Sequence, residues 1–535
     1  MKRLPPSWPL WVGLLVSAAL YAPLLPVPFL WDDQGTIAMN RPLGRPRPAS
    51  DYLSRNYFAF SAEQSWRPLA TATYEGMIRA FGKRPLPMRA LQLLLHAAVG
   101  LLLAALLRAA GLAPETAFWG AALFLVHPAH TETLMCVAFN EELLCALGIL
   151  AMLWAHLKDR YAWAAAAFAA ALLSKETGAV GLPLAVLFDA LQKRQWRAKA
   201  YALYAAPLAV YLWAWAGPLH GPGGRGGAFA LPAWERAYYA LSGVGTAVRV
   251  FVLPLRLRIE YFALPPAGAF DAALAVTGTL LLLGAWGWLA WRLRKSKPAV
   301  AALLLWPVPF LLLTSNVIPV QVLNMRLTAE RWFYLPYLGA AGAAAYGLSR
   351  RPAAAALVLA LWAGLGWMRL ADWSGEERLW SSLAKVYPWC AKAQEGLGEA
   401  FERQDKPSAA LAAYRRALEL RQTREDRVLL RYADLSQDGL VRWESPTLQR
   451  GLGRTYLKLG RIPEADESFL RASALDPRDG YTYGIMAYAY AERGDFPKAR
   501  AWIERGLREV PGDAFLLKLK PDAAKGKLTF RAAFH

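Results

Sequence analysis

Apolar runs of roughly 18–20 residues recur along the first two-thirds of the chain, each able as a helix to cross about 30 Å of hydrocarbon. They fall at 9–30, 90–108, 115–130, 134–157, 161–173, 177–190, 199–216, 271–291, 298–314, 332–348 and 352–370. The pattern predicts an all-α, polytopic membrane bundle of about eleven spans. The stretch 236–255 is the ambiguous one. It carries Arg236 and Arg249 and is soon followed by prolines, so it reads as an interfacial or re-entrant helix. The first run follows Lys2 and Arg3 as a signal peptide would. It extends from Trp8 to Trp31 and lacks a small-x-small cleavage site before Asp32, so it is expected to be a retained span.

Beyond residue 372 the pattern changes. Charge rises, apolar runs shorten, and a repeat appears. Gly460 recurs as Gly494, Ala465 as Ala499 and Pro477 as Pro511, each at an offset of 34. That period, with small residues where two helices meet, is the tetratricopeptide signature. A degenerate earlier copy starts at Gly396. Its Leu397 precedes the matching Leu452 by 55 residues, which implies an irregular insert around 421–447. The expected domains are therefore a membrane domain over 1–371 with an outer loop at 31–89, a repeat solenoid over 372–520 and a tail over 521–535. A solenoid's concave face suits a polypeptide partner.

The chain of 535 residues is 56% hydrophobic and 12% aromatic, with a net charge of +21. Such a charge in a soluble protein would suggest nucleic acid, but no basic patch interleaved with aromatic residues is present. The charge instead marks topology. With eleven spans, Lys2 and Arg3, Arg108, "KDR" at 158–160, "QKRQWRAK" at 192–199, "WRLRKSK" at 291–297 and "SRR" at 349–351 share one side, the cytoplasmic one. The repeats and the loop 31–89 then face the other side. That loop holds an excess of Arg and Lys against the rule, which suggests another task for them. Cys136 and Cys145 would sit about 13 Å apart on one helix, too far to bridge. With Cys390 they form neither a disulfide framework nor a common zinc pattern.

Unusual polar residues collect on the outer side. "WDDQG" places Asp32 and Asp33 where the first span ends. A polar stop would explain them. A carboxylate at that depth also suits a general base at a water-accessible cavity. "HPAHTE" supplies His127, His130 and Glu132, open to three readings: a polar kink at Pro128, a metal site, or a hydrogen-bonding cluster at a cavity mouth. "SKE" supplies Lys175 and Glu176, "WRPLA" supplies Arg67, and "AERWF" supplies Arg331. A guanidinium matches phosphate through paired hydrogen bonds. Carboxylates and cations on separate helix ends fit a donor linked to a lipid phosphate: an acid accepts the acceptor's proton and cations stabilise the departing phosphate. No phosphate-binding loop or dinucleotide fingerprint occurs. "GPGGRGG" at 221–227 reads as a flexible outer loop.

The segments "WDDQGTIAMN", "WRPLATATYEGMIRAFG", "LQLLLHAAVGLLL", "FLVHPAHTETLMCVAFNEELLCALGIL", "ALLSKETGAVGLPLAVLFD" and "AERWFYLPYLG", in this order and followed by the repeats, resemble the transmembrane and tetratricopeptide-repeat O-mannosyltransferases, a branch of the type C glycosyltransferases. The resemblance implies transfer of a hexose, mannose by analogy, from a polyprenyl-phosphate donor to Ser or Thr hydroxyls of proteins, with inversion, and without a cofactor or a divalent metal. It implies that the first acid of the pair, Asp32, is the base, with Asp33 beside it. It further implies that Arg67, His127, His130, Glu132, Lys175, Glu176 and Arg331 form the donor and phosphate side. One departure is visible. Where relatives carry an Arg after "HTE…V", this chain has Asn140, so Arg331, Lys175 or Arg67 must hold the phosphate. The expected setting is a bacterial inner membrane with a cytoplasmic N-terminus and periplasmic repeats. The alternatives are a non-catalytic scaffold that recruits partners through its repeats, and a transferase acting on a glycan or lipid.

Overall fold

The computed structural model describes residues 5–61, 63, 65–217, 219, 233–262, 269–315, 328–421, 423 and 445–528. Among these the regular elements are helices, and an isolated antiparallel bridge joins Tyr261 to Thr328. The chain divides into two compact units, one running to Gly375 and one beginning at Glu376.

In the first unit every apolar run folds as helix, but several are cut by proline and by buried polar residues. The run 298–314 becomes Pro298–Leu305 and Pro307–Thr314, because Pro307 has no N–H to continue the ladder. The helix Pro114–Val126 stops short of Pro128, and the residue before that proline, His127, is extended. A 3-10 turn at Pro128–His130, a short helix at Thr131–Met135 and another 3-10 turn at Val137–Phe139 follow before the helix Asn140–Leu157 begins. The ambiguous stretch is an uninterrupted helix, Ala233–Val252. Three described helical stretches are long and apolar enough to cross a membrane: Pro85–Ala109, Val137–Leu157 and Pro352–Ser374. Shorter apolar helices include Trp8–Leu24, Pro114–Val126 and Tyr161–Ser174.

Small residues let these helices approach closely, as membrane helices do. A Cβ on Gly148 would lie 2.8 Å from the backbone nitrogen of Ala171, so the hairpin of Asn140–Leu157 with Tyr161–Ser174 closes only on glycine. Gly13 meets Ala122 in the same way, at 2.7 Å from its Cα. His96 links three helices: Nδ1 lies 2.8 Å from the Tyr334 hydroxyl and Nε2 lies 3.0 Å from the Leu125 carbonyl.

The segment 31–89 is folded around its own charges. Buried Glu75 forms an ion pair with Arg47 at 2.8 Å and accepts from Arg79 at 3.2 Å, from the Gly44 N–H at 3.3 Å and from the Tyr52 hydroxyl. Lys83 donates to the carbonyls of Ala38 and Asn40, at 3.2 and 2.7 Å. Arg47, Arg79 and Lys83, part of the surplus of basic residues there, are thus used in holding the segment together.

The second unit is a stack of antiparallel helix pairs: Ala391–Arg403 with Pro407–Leu420, Pro446–Lys458 with Ile462–Leu475, and Gly480–Ala491 with Phe496–Glu509. The period of 34 has a backbone cause. Gly460 and Gly494 turn between paired helices at φ of 75° and 79°, where a side chain would be strained. Gly398 packs on Tyr414 and Gly453 on Phe469 within each pair. Arg454 grips Glu402 with two hydrogen bonds of 2.6 and 2.9 Å, joining the first pair to the second. Most of the predicted insert (422 and 424–444) and the loop 221–227 lie outside the described residues. The helix Ala514–Ala524 runs through Pro521 and takes in the first four residues of the expected tail.

Replacing Gly148 by Leu should destabilise the purified chain by about 1–3 kcal/mol, because Ala171 leaves no room. Replacing Gly76 by Ala, where nothing lies within 4 Å, should be neutral or stabilising. Thermal unfolding in detergent separates the two, and equal effects would contradict the packing.

Candidate active site

Arg89 sits near the start of the helix Pro85–Ala109 and is only 1% exposed. A buried guanidinium needs acceptors for its five N–H groups. It finds backbone carbonyls: Leu24 at 3.3 Å, Pro28 at 2.8 Å, Met135 at 3.0 Å and also Val27. The chain leaving the first helix is thereby drawn down onto the segment 133–139. Asp33 completes the junction. Its Oδ1 accepts from the Ala138 N–H at 2.8 Å and from the Cys136 thiol at 3.2 Å, while Oδ2 lies 3.9 Å from Arg89. Burial pushes the Asp33 carboxyl up to about 6, against the pull of Arg89 and the Ala138 N–H.

The turn between these anchors carries Trp31 at φ 50°. A bulky residue in left-handed backbone costs on the order of 1–3 kcal/mol. It persists because its neighbours are tied, the Asp33 N–H to the Leu30 carbonyl and the Gln34 N–H to the Trp31 carbonyl, both at 3.0 Å. Asp32 emerges from the turn half-buried, with no hydrogen bond or ion pair to any described residue. The charge within its reach is Arg331.

Arg331 comes from the 3-10 turn Glu330–Phe333. Its backbone N–H donates to Glu132 Oε2 at 3.1 Å, and its Nη1 pairs with Glu132 Oε1. Its guanidinium carbon lies 4.4 Å from the Phe139 ring centroid and 5.3 Å from that of Trp31. Nε and Nη2 donate to no described residue. The neighbouring Glu330 is fixed by the Tyr261 hydroxyl at 3.0 Å, by Arg369 at 3.5 Å and by the Arg258 N–H. Asp32, Asp33, Glu132 and Arg331 are therefore brought together. Arg89 and Arg369 belong to the same structure and were missed from the sequence. A backbone carbonyl leaves no mark in a motif, although an Arg just inside a long apolar helix was a signal.

The remaining expected residues lie elsewhere. Arg67 binds Glu176 through two bonds, at 3.0 and 2.8 Å, and also meets Glu141 at 3.3 Å and Glu63 at 3.5 Å. Lys175 pairs with Glu142 and lies 3.6 Å from Glu141. Both cations were expected to face a phosphate. The structure corrects this, because carboxylates already surround them. His127 and His130 are buried and do not open toward Asp32. His127 Nδ1 accepts from the Ala129 N–H at 3.2 Å, and Nε2 lies 3.2 Å from the Phe251 carbonyl. His130 packs among Phe124, Tyr334 and His96, with no hydrogen bond to either ring nitrogen. Asn140 is buried beside a cavity of about 10 Å³ that is also lined by Thr73, Tyr74 and Gln92. Among the described residues no set of three His, Cys, Asp or Glu side chains is arranged to hold a metal.

The raised Asp33 value has a sign that can be tested. Between 3.8 and about 6 the folded chain keeps a proton that the unfolded chain releases, so this group's contribution to stability falls as pH rises through that window. Asp33→Asn keeps the acceptor for Ala138 and removes the charge. Its melting temperature should match or exceed wild type at pH 7.5, and the difference should close below pH 4. Asp33→Ala leaves the Ala138 N–H unpaired and should cost about 1–3 kcal/mol at every pH. Asn proving as damaging as Ala at pH 7.5 would refute this account of the carboxyl.

A tetratricopeptide repeat model matches residues 376–425 and 450–514. The mouse protein O-mannosyl-transferase TMTC3 is 24% identical over 87% of this chain and 55% of its own length. The human TMTC4 of the same name is 27% identical over 35% of this chain and 30% of its own length. The Drosophila melanogaster Tmtc1 is 29% identical over 33% of this chain and 22% of its own length. The chain thus spans about half of the mouse protein, and less of the others. Among solved structures, the APC/C hetero-tetramer Cut9-Hcn1 covers 76% of this chain and 90% of its own at 13% identity, but its TM-score of 0.25 is too low to bear on the fold. Taken together, the membrane-type first unit and the repeats that follow it resemble the transmembrane and tetratricopeptide-repeat protein O-mannosyl-transferases over most of the chain.

Proposed function

We propose that this chain transfers a hexose, mannose by analogy with the relatives' names, from a polyprenyl-phosphate donor to Ser or Thr hydroxyls of protein acceptors. The observation that carries the reading is that Asp32, a carboxylate without a hydrogen-bond or ion-pair partner among the described residues, lies within electrostatic reach of Arg331, whose Nε and Nη2 donate to no described residue. Asp32 takes the acceptor hydroxyl's proton. The acceptor oxygen attacks the sugar's anomeric carbon from the face opposite the phosphate, so the configuration inverts. The bond from that carbon to the phosphate oxygen breaks, and Arg331 stabilises the charge left on the polyprenyl phosphate. Asp33 holds the turn and takes no proton. Arg67 keeps the segment 57–67 attached to the helix ends, Lys175 pairs with Glu142 beside it, and both leave phosphate binding to Arg331. The reading places about eleven spans in a bacterial inner membrane, with the N-terminus cytoplasmic and the repeats periplasmic, on the basis of the basic clusters between apolar runs. The repeats then present extended protein acceptors.

Purified chain should incorporate labelled mannose from polyprenyl-phosphate-mannose into unfolded proteins. Asp32→Asn should lower the rate by about 10²–10⁴, the usual worth of a positioned base. Asp33→Asn should stay within a few-fold of wild type, and Arg331→Gln should weaken donor binding. Equal incorporation by wild type and Asp32→Asn would remove the assigned base. Intact, folded chain without incorporation would favour the scaffold.

A further inference from the structure

Met39, Phe81 and Leu86 are 61%, 51% and 52% exposed. They lie on three stretches that the fold draws together. Ile37 and Leu43 are buried with Tyr74 and Met88 in one apolar cluster, which lays the segment 37–43 against the helix Pro68–Phe81 and the start of the helix Pro85–Ala109. Lys83 then grips the carbonyls of Ala38 and Asn40, the residues on either side of Met39. Large apolar side chains held together and left uncovered mark a surface that something else covers.

Cations belong to the same surface. Arg41 and Arg84 are exposed, and among the described residues no carboxylate pairs with either. Burial and the nearby Arg41 charge pull the Lys83 ammonium down, so like charges stand close here with no acid between them. Other basic groups of the segment are neutralised, Arg47 and Arg79 by Glu75. Charges of one sign gathered in this way attract an anionic partner. Leu86 lies in the first turn of the helix Pro85–Ala109, which is long and apolar enough to cross a membrane, so the surface adjoins the level at which the chain enters hydrocarbon. We propose that Met39, Phe81 and Leu86 seat in the headgroup layer of an anionic lipid surface, with Arg41, Lys83 and Arg84 on the lipid phosphates. Apolar groups beside unneutralised cations are the combination that binds such a surface. From Met39 the chain runs back through the turn Gln34–Ala38 to Asp32, so the seat also sets the height of that acid in the membrane. The proposal needs the first unit to lie in a membrane and is independent of the transferase reading.

The test places the full chain in nanodiscs of neutral phosphatidylcholine or of phosphatidylcholine with phosphatidylglycerol, carrying a spin label on Met39→Cys or Phe81→Cys. Cys136, Cys145 and Cys390 are buried, so the label goes to the new thiol. In the anionic discs at low salt both labels should meet oxygen dissolved in the lipid more readily than a water-soluble nickel complex, by at least about threefold. That order should reverse in neutral discs, in about 1 M salt, which screens charge beyond a few Å, and in Arg41→Glu/Arg84→Glu. The salt arm uses the unreversed cations, so it decides the matter even where the charge-reversed chain fails to fold. Labels seated alike in both kinds of disc would leave the cations no part and overturn the proposal. Labels open to water in every disc overturn it too. Dipolar broadening between labels on two chains would give the surface to a second copy, which also overturns it.

Discussion

A guanidinium surrounded by backbone carbonyls holds the outer edge of the first unit in place. Left unpaired, the Arg89 charge would cost several kcal/mol to bury. Its acceptors come from two distant stretches, Leu24 to Pro28 and Met135, so satisfying it forces these stretches together. Asp33 then has the Ala138 N–H within reach, and the turn that carries Trp31 and Asp32 can take only one course. The candidate base sits on a loop by sequence, but that loop is fastened at both ends.

The cations of this unit fall into two kinds. Arg67, Lys175, Arg47 and Lys83 are committed to carboxylates or carbonyls. Arg331 is committed on one side only. Its pairing with Glu132 fixes the side chain beside Phe139 and Trp31 and leaves Nε and Nη2 without a described acceptor. A charge already neutralised by two or three carboxylates is a poor phosphate ligand, and this distinguishes residues that look alike in the sequence.

The helices were readable from apolar runs, and the second unit from its period, because both depend on regular spacing. Gly460 and Gly494 mark turns that only glycine enters without strain, so the repeat shows in the sequence as well as in the backbone. The interruptions around His127 and Phe139 were harder to read, since one proline announces a break without giving its length. The fold does bring Glu132 and Arg331 together, with Asp32 near them. The expectation that the polar residues share one side did not distinguish a surface group from a buried one. His130 and Arg67 were grouped with them, yet one is enclosed by rings and the other by carboxylates. Those distinctions arise largely from contacts between distant residues, Arg67 with Glu141 and Glu176 and His130 with Tyr334, for which a single sequence carries no signal.

Several helices that end at the polar turns of the first unit are short. Pro114–Val126, Tyr161–Ser174 and Tyr334–Leu348 have 13, 14 and 15 residues and rise about 20 Å. Placed in a bilayer with about 30 Å of hydrocarbon, they leave roughly 10 Å to be filled by the turns that bear Glu132, Glu176 and Arg331. Lipid around such a protein thins, or polar groups draw water below the headgroups. Under the proposed transferase reading, a polyprenyl phosphate resting at an ordinary headgroup level would stand too high for Arg331. Local membrane thickness then becomes one of the coordinates of the site, as much as any side chain.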